Sequence, residues 1–412
     1  MRAVTSLLRS LVVVALAAAP LFAASCQNII GINDRTLGPC GHYCDVVMAN
    51  CTGADTVYDG REKCMGVCQH YDVGDSNEWQ MKNTLECRLH EAELVPSAAE
   101  EDRATLCRAA GPEGLTNCGG SCESYCSLYE EICGQVECGS HENCVAKCAA
   151  LRDRNEYNVV DDYEGDSLQC RFVHLSNASI TPGGEPHCGH ANLSTPTDHC
   201  TDVPDAPTGA GGSSESDEPM VKPPAPDCDD YCRVQLVACD PTGPDAQYEN
   251  HDECMAVCQF FTVGQFADTT QNTLGCRLYH SYNALCSPDL HCPHSGPGGE
   301  GQCGTNATDK CASYCQLAKG ACPDLYADDA VYGNDDTKCM NDCTSPSLSN
   351  PTLADANASA ESGDTRYTLA VAQTPGTLAC RFLALSRAAA DPTKCGDVAT
   401  SPVFGHGVCA KQ

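Results

Sequence analysis

The chain has 412 residues, of which 35 are cysteines, and only 6% of its residues are aromatic. A chain so poor in large apolar side chains cannot build one large core, so the cysteines predict several small disulfide-held units outside a reducing cytosol. The 56 acidic side chains against 24 basic ones give a formal net charge of −32. This balance disfavours nucleic acid and anionic lipid as partners.

The first 25 residues are typical of an export signal. They begin with positive charge and continue with an apolar run at 11–22, which is too short for a membrane span. Small residues then precede Cys26, as in a bacterial lipobox, although Ala23 stands where leucine is usual. We therefore predict a lipid on Cys26. The alternative is ordinary signal-peptidase cleavage after Ser25.

Cysteine parity and the residue after the anchor extend this prediction. If Cys26 carries lipid, 35 cysteines less one leave 34, an even number that can all pair. Gln27, rather than aspartate, follows the anchor, which by the sorting rule of enteric lipoproteins favours the outer membrane. We expect an exported protein that is anchored in the outer membrane and faces the periplasm or the cell surface.

The pattern C-x3-C-x6-C, followed by a second C-x3-C, occurs four times and marks tandem repeats. Each repeat predicts about three helices, so the fold class is all-α and disulfide-rich. A segment rich in Pro, Gly, Ser and acidic residues predicts a flexible linker between two lobes of two repeats each. The predicted boundaries are a signal peptide at 1–25, an anchor segment at 26–39, repeats at 40–121, 122–202, 228–304 and 305–412, and the linker at 203–227.

The spacing of the cysteines in the third repeat predicts a helical hairpin. Cys228 and Cys232 lie one turn apart on one helix, and Cys254 and Cys258 lie one turn apart on the next. Such pairs are placed to bridge an antiparallel neighbour, outer to outer and inner to inner, as Cys228–Cys258 and Cys232–Cys254. In its spacing alone the hairpin resembles the twin-CX3C hairpin of the small Tim chaperones. The matching disulfide candidates elsewhere are Cys40, Cys68, Cys44, Cys64, Cys122, Cys148, Cys126, Cys144, Cys311, Cys343, Cys315 and Cys339.

Other residues recur in every repeat. Asn272 or Thr273 is expected to cap a third helix that carries Cys276. The tyrosines on the cysteine face of the first helix predict core packing. The arginine after each third-helix cysteine predicts a structural salt bridge or a clamp on carbonyl groups. The tyrosines are Tyr43, Tyr125, Tyr231 and Tyr314, and the arginines are Arg88, Arg171, Arg277 and Arg381.

Two cysteines, Cys138 and Cys286, lie outside the common frame of eight per repeat. Parity allows a Cys138–Cys286 bridge across the linker. Local re-pairing of Cys138 with Cys133 or Cys144 and two free thiols are the alternatives.

Short segments resemble the cysteine-rich lipoproteins of myxobacteria. They are CQNIIGINDRTL after the leader and CRLYH with HCPHSGPGG in the third repeat. The resemblance implies a location in the cell envelope, and it implies no activity.

Histidines are the residues most suggestive of chemistry. In the second and third repeats one histidine lies four residues after the cysteine of the third helix, and two flank a later cysteine. Such clusters can hold copper or zinc. The alternative is that they fill a polar seam where the tail folds over the third helix, and Cys188 and Cys292 are expected to be in disulfides rather than thiolate ligands. The candidates are His174, His187, His190, His280, His291 and His294; the first repeat keeps only His90 nearby.

Other chemistry is disfavoured. Asp161–Ser167 is acidic but lacks the ligand spacing of an EF-hand. The chain has no C-x-x-C, H-E-x-x-H or G-x-S-x-G motif. We therefore expect a non-enzymatic envelope lipoprotein with a binding or structural role, whose partners are the membrane, through its lipid, and an unknown protein or envelope ligand. It is expected to need no cofactor. The alternative is a copper- or zinc-binding or redox-accessory protein that uses the histidines.

Overall fold

A computed structural model of the protein describes three stretches of the chain. They are 38–194 with 199–200, apart from 76, 78 and 155; 225–343, apart from 266, 267, 305, 306 and 330; and 367–398, apart from 374–377. Within them the regular secondary structure is helical, with two isolated β-bridges. This confirms the all-α, disulfide-rich class. The predicted signal peptide, Cys26 and most of the linker lie outside the described residues.

The helices are short and begin close to the cysteine frame. None of the helices in the described stretches is long and apolar enough to cross a membrane. In chain order they are α1 (Pro39–Asn50), α2 (Arg61–Cys68), α3 (Leu85–Leu94), α4 (Glu100–Ala110), α5 (Ser121–Cys133), α6 (His141–Cys148), α7 (Leu168–Ala178), α8 (His187–His190), α9 (Cys228–Ala238), α10 (His251–Cys258), α11 (Leu274–Ala284), α12 (Pro288–Ser295), α13 (Ala307–Ala321), α14 (Pro323–Ala327), α15 (Asp336–Cys343) and α16 (Leu378–Ala390).

Side-chain caps start the first three helices of the third repeat. Asp227 accepts a hydrogen bond from the backbone N–H of Asp230 at the start of α9, and Asn250 accepts one from Glu253 at the start of α10. Thr273, rather than Asn272, caps α11, because its Oγ1 accepts from the N–H of Cys276 at 3.2 Å. Each cap satisfies a backbone donor that the first turn leaves without a partner, so these polar residues fix where the helices begin.

The disulfides join the helices in a repeated order. The outer cysteines of the hairpin, Cys228 and Cys258, bridge each other, as do the inner pair, Cys232 and Cys254. The first and fourth repeats have the same nested pairs, which are Cys40–Cys68 with Cys44–Cys64, and Cys311–Cys343 with Cys315–Cys339. In the second repeat Cys122, Cys126, Cys144 and Cys148 are all disulfide-bonded. The nested pairs follow the outer-to-outer and inner-to-inner order that the spacing predicts.

The first and third repeats have four helices, one more than the sequence predicts. The fourth helix of the third repeat, α12, starts with Pro288 in its first turn, where the absent N–H of proline costs nothing. Cys292 on α12 bridges Cys239 at the end of α9, and Cys276 on α11 bridges Cys303. The first repeat has the same two links, Cys51–Cys107 and Cys87–Cys118. These links fold the tail of each repeat back over its third helix.

The recurring arginines are clamps on carbonyl groups. In the third repeat Arg277 is fully buried and donates to the backbone oxygens of Gly296 and Thr273, both at 3.1 Å. Arg88 donates in the same way to Gly111 and Thr84 in the first repeat. The prediction of a structural clamp is therefore confirmed for these two arginines.

The recurring tyrosines belong to the core, as predicted. Tyr43, Tyr125, Tyr231 and Tyr314 are all fully buried. The hydroxyl of Tyr231 donates to the carbonyl oxygen of Ser295 at 2.6 Å, and that of Tyr43 donates to Ala110 at 2.6 Å. Each hydroxyl thus ties the first helix of its repeat to the last turn of the fourth.

The described chain divides into two compact units, although not at the predicted linker. One unit comprises Met1–Cys133, Asn155–Asp162 and Leu175–Glu185, and the other comprises Gly134–Arg154, Tyr163–His174 and Pro186–Gln412. The division falls inside the second repeat, so the two-lobe arrangement is not confirmed.

Links between the second and third repeats lie within the larger unit and account for this difference. Cys138 bridges Cys286, which is the first of the three possibilities that parity left open. Asp166 binds both Tyr282 and Arg171, and Arg152 pairs with Asp230. A disulfide and two polar contacts therefore fasten together the repeats on either side of the linker.

Candidate metal-binding sites

The three histidines of the third repeat come together around one point. His280 lies on α11, and His291 and His294 lie three residues apart on one face of α12. The Nδ1 atoms of His280 and His291 are 3.1 Å apart, and one nitrogen from each of the three rings lies within 4.8 Å of the others. The Cys239–Cys292 disulfide holds the turn between His291 and His294 against α9, so a covalent bond fixes their position.

The second repeat builds the same arrangement from α7 and α8. The Nδ1 atom of His174 is 3.2 Å from the Nδ1 of His187 and 3.2 Å from the Nδ1 of His190. The ring planes of His174 and His187 are inclined to each other by 33°, and those of their counterparts, His280 and His291, by 24°. The third ring of each set stands nearly perpendicular, at 89° for His190 against His174 and 82° for His294 against His280. We call these two sets the second-repeat triad and the third-repeat triad.

Backbone carbonyl groups fix the tautomer of the first histidine in each triad. The Nε2 of His174 faces the carbonyl oxygen of Tyr163 at 3.1 Å, and the Nε2 of His280 faces that of Thr269 at 3.0 Å. A carbonyl oxygen only accepts, so Nε2 must carry the hydrogen. The Nδ1 lone pair of the neutral ring then points at the other imidazoles, which is the arrangement that orients a metal-binding histidine.

Burial keeps these rings neutral. The pKa of His174 is lowered to about 3, mainly by desolvation; the Tyr163 carbonyl opposes this shift, and the neighbouring His190, His199 and His187 contribute to it. Desolvation also lowers the pKa of His280. It lowers the pKa of His291 to about 4, together with the nearby His280. Neutral imidazoles keep the lone pairs that a metal ion needs.

The separations fit a bound transition metal. Three nitrogens bonded to zinc at about 2.0–2.1 Å in tetrahedral geometry lie roughly 3.3 Å from one another. The Nδ1 of His174 lies 3.2 Å from those of its two triad partners, and the Nδ1 atoms of His280 and His291 lie 3.1 Å apart. Without an ion, the single Nδ1 lone pair of His174 faces two neighbouring Nδ1 atoms and cannot accept well from both. A divalent ion at the centre would use all three lone pairs.

Sulfur atoms also lie near each triad, although not as thiolates. The sulfurs of Cys170 and Cys200 lie within 4.8 Å of a nitrogen of His174, and those of Cys276 and Cys303 lie equally near His280. Both pairs are disulfides. Cys188 and Cys292 are disulfide-bonded as well. Since a thiolate is the ligand form of cysteine, the candidate ligands are the imidazoles.

Other candidate residues stay apart from the triads. His90 stacks on Trp79 at 3.8 Å and joins no histidine cluster among the described residues. In the acidic segment 161–167, Asp162 accepts from the backbone N–H of Asn158 at 2.7 Å, and Asp166 pairs with Arg171 at 2.8 Å. These two carboxylates are engaged within the protein.

One residue beside a site was missed from the sequence. His199 stacks on His174 with ring centroids 5.0 Å apart and meets His190 edge-on at 4.6 Å. Its Nδ1 is 2.6 Å from a carboxylate oxygen of Glu164. A signal was present, because His199 directly precedes Cys200, just as His187 precedes Cys188 and His291 precedes Cys292.

Comparison with known proteins gives a match that includes the third-repeat triad. Residues 227–310 match the family model described as the BfoA family C-terminal domain. Over 76 residues the chain is 34% identical to the "Aurasperone B biosynthesis cluster protein A" of Aspergillus niger, covering 18% of this chain and 22% of the relative. Over 79 residues it is 35% identical to the "Bifonsecin B biosynthesis cluster protein A" of Aspergillus brasiliensis, covering 18% and 23%.

These matches are local. The chain spans less than a quarter of the length of the curated relatives it matches, and no solved structure matches it. The chain is thus a disulfide-rich helical protein related in part to fungal biosynthesis-cluster proteins, and its disulfides indicate an oxidising, exported environment. The resemblance to myxobacterial lipoproteins and to the small Tim chaperones stays a prediction.

Proposed function

We propose that this is an exported, non-catalytic metal-binding protein, in which the second-repeat and third-repeat triads each hold one copper or zinc ion. The observation that carries the proposal is the convergence of three ring nitrogens within 4.8 Å in each triad, with Nδ1 pairs at 3.2 Å in the second repeat and at 3.1 Å in the third. The carbonyl groups behind His174 and His280 hold the tautomer that presents Nδ1 to the ion. Imidazole ligands suit copper and zinc.

The test is metal analysis of full-length oxidised protein that was purified without a histidine tag. After loading and gel filtration we expect two ions for each chain, one after His187→Ala or His291→Ala, and none in the double variant. His251→Ala is the matched control, because His251 is exposed in the same repeat as His291. Full metal content in the double variant, or none in the wild type, would contradict the proposal.

We further propose that the protein is held at the cell envelope by lipid on Cys26, which lies outside the described residues. The support is the leader at 1–25 and the small residues before the cysteine. Replacement of Cys26 by serine should release the protein from the membrane fraction. A wild-type protein that is already free of membranes and starts at Cys26 without lipid would show this proposal to be wrong, and the metal-binding proposal would stand.

A further inference from the structure

The two triads differ in what lies beside them, although their own geometry is nearly the same. In the second repeat His199 lies against two triad rings, and its side chain is 24% exposed. The third repeat has Gln302 at the corresponding place before Cys303. Glu164 follows Tyr163, whose carbonyl oxygen accepts from His174, and it corresponds to Thr270, which follows Thr269. The third repeat therefore lacks both the extra imidazole and its carboxylate.

The contact with Glu164 determines how His199 can bind. Its Nδ1 lies 2.6 Å from the carboxylate, which can only accept when ionised, so Nδ1 carries the hydrogen. In the neutral ring the lone pair is then on the other nitrogen, Nε2. A carboxylate behind a histidine is a common support for a metal ligand, because it fixes the tautomer and raises the basicity of the ring. His199 is thus a fourth imidazole beside the triad, with Nδ1 held by Glu164 and Nε2 as its candidate ligand atom.

Among the described residues, the places that correspond to His199 and Glu164 carry neither an imidazole nor a carboxylate in the third repeat, and the charge of Asp289 acts on His291. Thr270 is exposed and Gln302 is half-buried. Besides the two other triad histidines, Tyr279 packs on His280, edge-on with ring centroids 5.1 Å apart, and it is 40% exposed. His291 is only half-buried, so the triad reaches solvent at this ring. Three imidazoles leave the fourth corner of a tetrahedron available to a donor from outside the protein.

We propose that the two metal sites have different roles. In the second repeat a rotation of the His199 side chain brings Nε2 to the ion and completes a closed site of four imidazoles. In the third repeat the fourth position stays open and takes an exogenous monodentate donor, such as water, hydroxide or a small anion. This inference rests on the proposed metal binding, and it names the ligand class of the third-repeat site.

The experiment separates the sites and uses azide as the probe. His187→Ala leaves the third-repeat site, and His291→Ala leaves the second-repeat site; each full-length variant is loaded with cobalt(II), whose visible spectrum reports its ligands. We expect a saturable azide-induced spectral shift in His187→Ala and no shift in His291→Ala. Adding His199→Gln to His291→Ala should create the azide response. Adding Thr270→Glu with Gln302→His to His187→Ala should abolish it.

The outcomes distinguish this inference from the proposed function. If neither single-site variant binds copper, zinc or cobalt, metal binding itself is wrong. If both bind cobalt and respond alike to azide, or if His199→Gln changes nothing, metal binding stands and the difference between the sites is overturned. Far-ultraviolet circular dichroism and the absence of free thiols establish that each variant is folded and oxidised.

Discussion

The first and third repeats have the same disulfide pattern, yet only the third has a histidine triad. Glu91 lies four residues after Cys87, where His280 lies in the third repeat, and Leu106 and Ala109 take the places of His291 and His294. Ala109 is fully buried, and the buried Glu91 accepts from the side chain of Asn117 at 3.0 Å. The same scaffold therefore closes without any imidazole at these places.

This difference bears on the alternative that the histidines merely fill a polar seam. The seam exists in both repeats, because the links Cys51–Cys107 and Cys239–Cys292 fold the tail over the third helix in the same way. A glutamate, a leucine and an alanine suffice there in the first repeat. The comparison therefore favours a binding role for the histidines over a packing role.

The largest expected effect is common to both repeats and concerns the arginine clamp. Replacing Arg277 or Arg88 by methionine should lower the free energy of unfolding by about 4 kcal/mol, because buried carbonyl oxygens lose charged donors. Denaturant unfolding of the oxidised protein measures this loss. Arg61→Met, which removes an exposed ion pair with Asp45, is the control and should cost less than about 1 kcal/mol. Similar small losses in the free energy of unfolding at all three positions would mean that the arginine clamp does not stabilise the repeats.

A second effect concerns the pH dependence of stability, which should differ between the third and the first repeat. Desolvation raises the pKa of Glu253 from 4.5 to about 7, whereas the first repeat has Lys63, paired with Asp59, at this place. The native state therefore binds more protons than the unfolded state between these pH values. The associated stability, about 3 kcal/mol, is fully present below pH 4.5 and is lost as pH rises towards 7.

The variant Glu253→Gln should remove this contribution, so it should be more stable than the wild type at pH 8 and differ little at pH 4. Thermal unfolding of both proteins across this range measures the difference. Lys63→Gln is the matched control and should show no such pH-dependent gain. A wild type and Glu253→Gln variant that follow parallel curves would contradict the prediction.

The smallest effect on stability is expected when histidines of the third-repeat triad are replaced by the residues of the first repeat. Giving the third repeat the residues of the first, His291→Leu with His294→Ala, should change the stability of the metal-free protein by about 1 kcal/mol or less. It should still abolish metal binding in that repeat. Denaturant unfolding in the presence of a chelator provides the measurement. A loss of several kcal/mol would instead mean that the histidines hold the seam together.

Much of the fold and of the third-repeat triad could be predicted from the sequence. One reason is that cysteine spacing on a helix restricts which sulfurs can meet. The nested pairs of α9 and α10 followed from that geometry, as did the cap before Cys276 and the burial of Tyr231. The His280, His291 and His294 cluster was identified by its spacing around two frame cysteines, and the structure brings the rings together.

The rest depends on contacts between residues far apart in the chain. The carbonyl groups of Tyr163 and Thr269 are backbone groups, so their side chains carry no signal for the tautomers they impose. In the third repeat the fourth helix was missed because α12 has only eight residues and contains Pro293. The division into units was missed because polar contacts such as Tyr282 with Asp166 cannot be paired from composition.

The Cys138–Cys286 bond turns part of the polypeptide into a covalent ring, because its two cysteines are 148 positions apart in the sequence. A single proteolytic nick between Cys200 and Cys228 would open that ring without releasing a fragment. His174, on one side of the cut, and His280, on the other, would stay on one molecule. An exported protein exposed to proteases would thus keep both triads together after its backbone had been broken, and only reduction would set them apart.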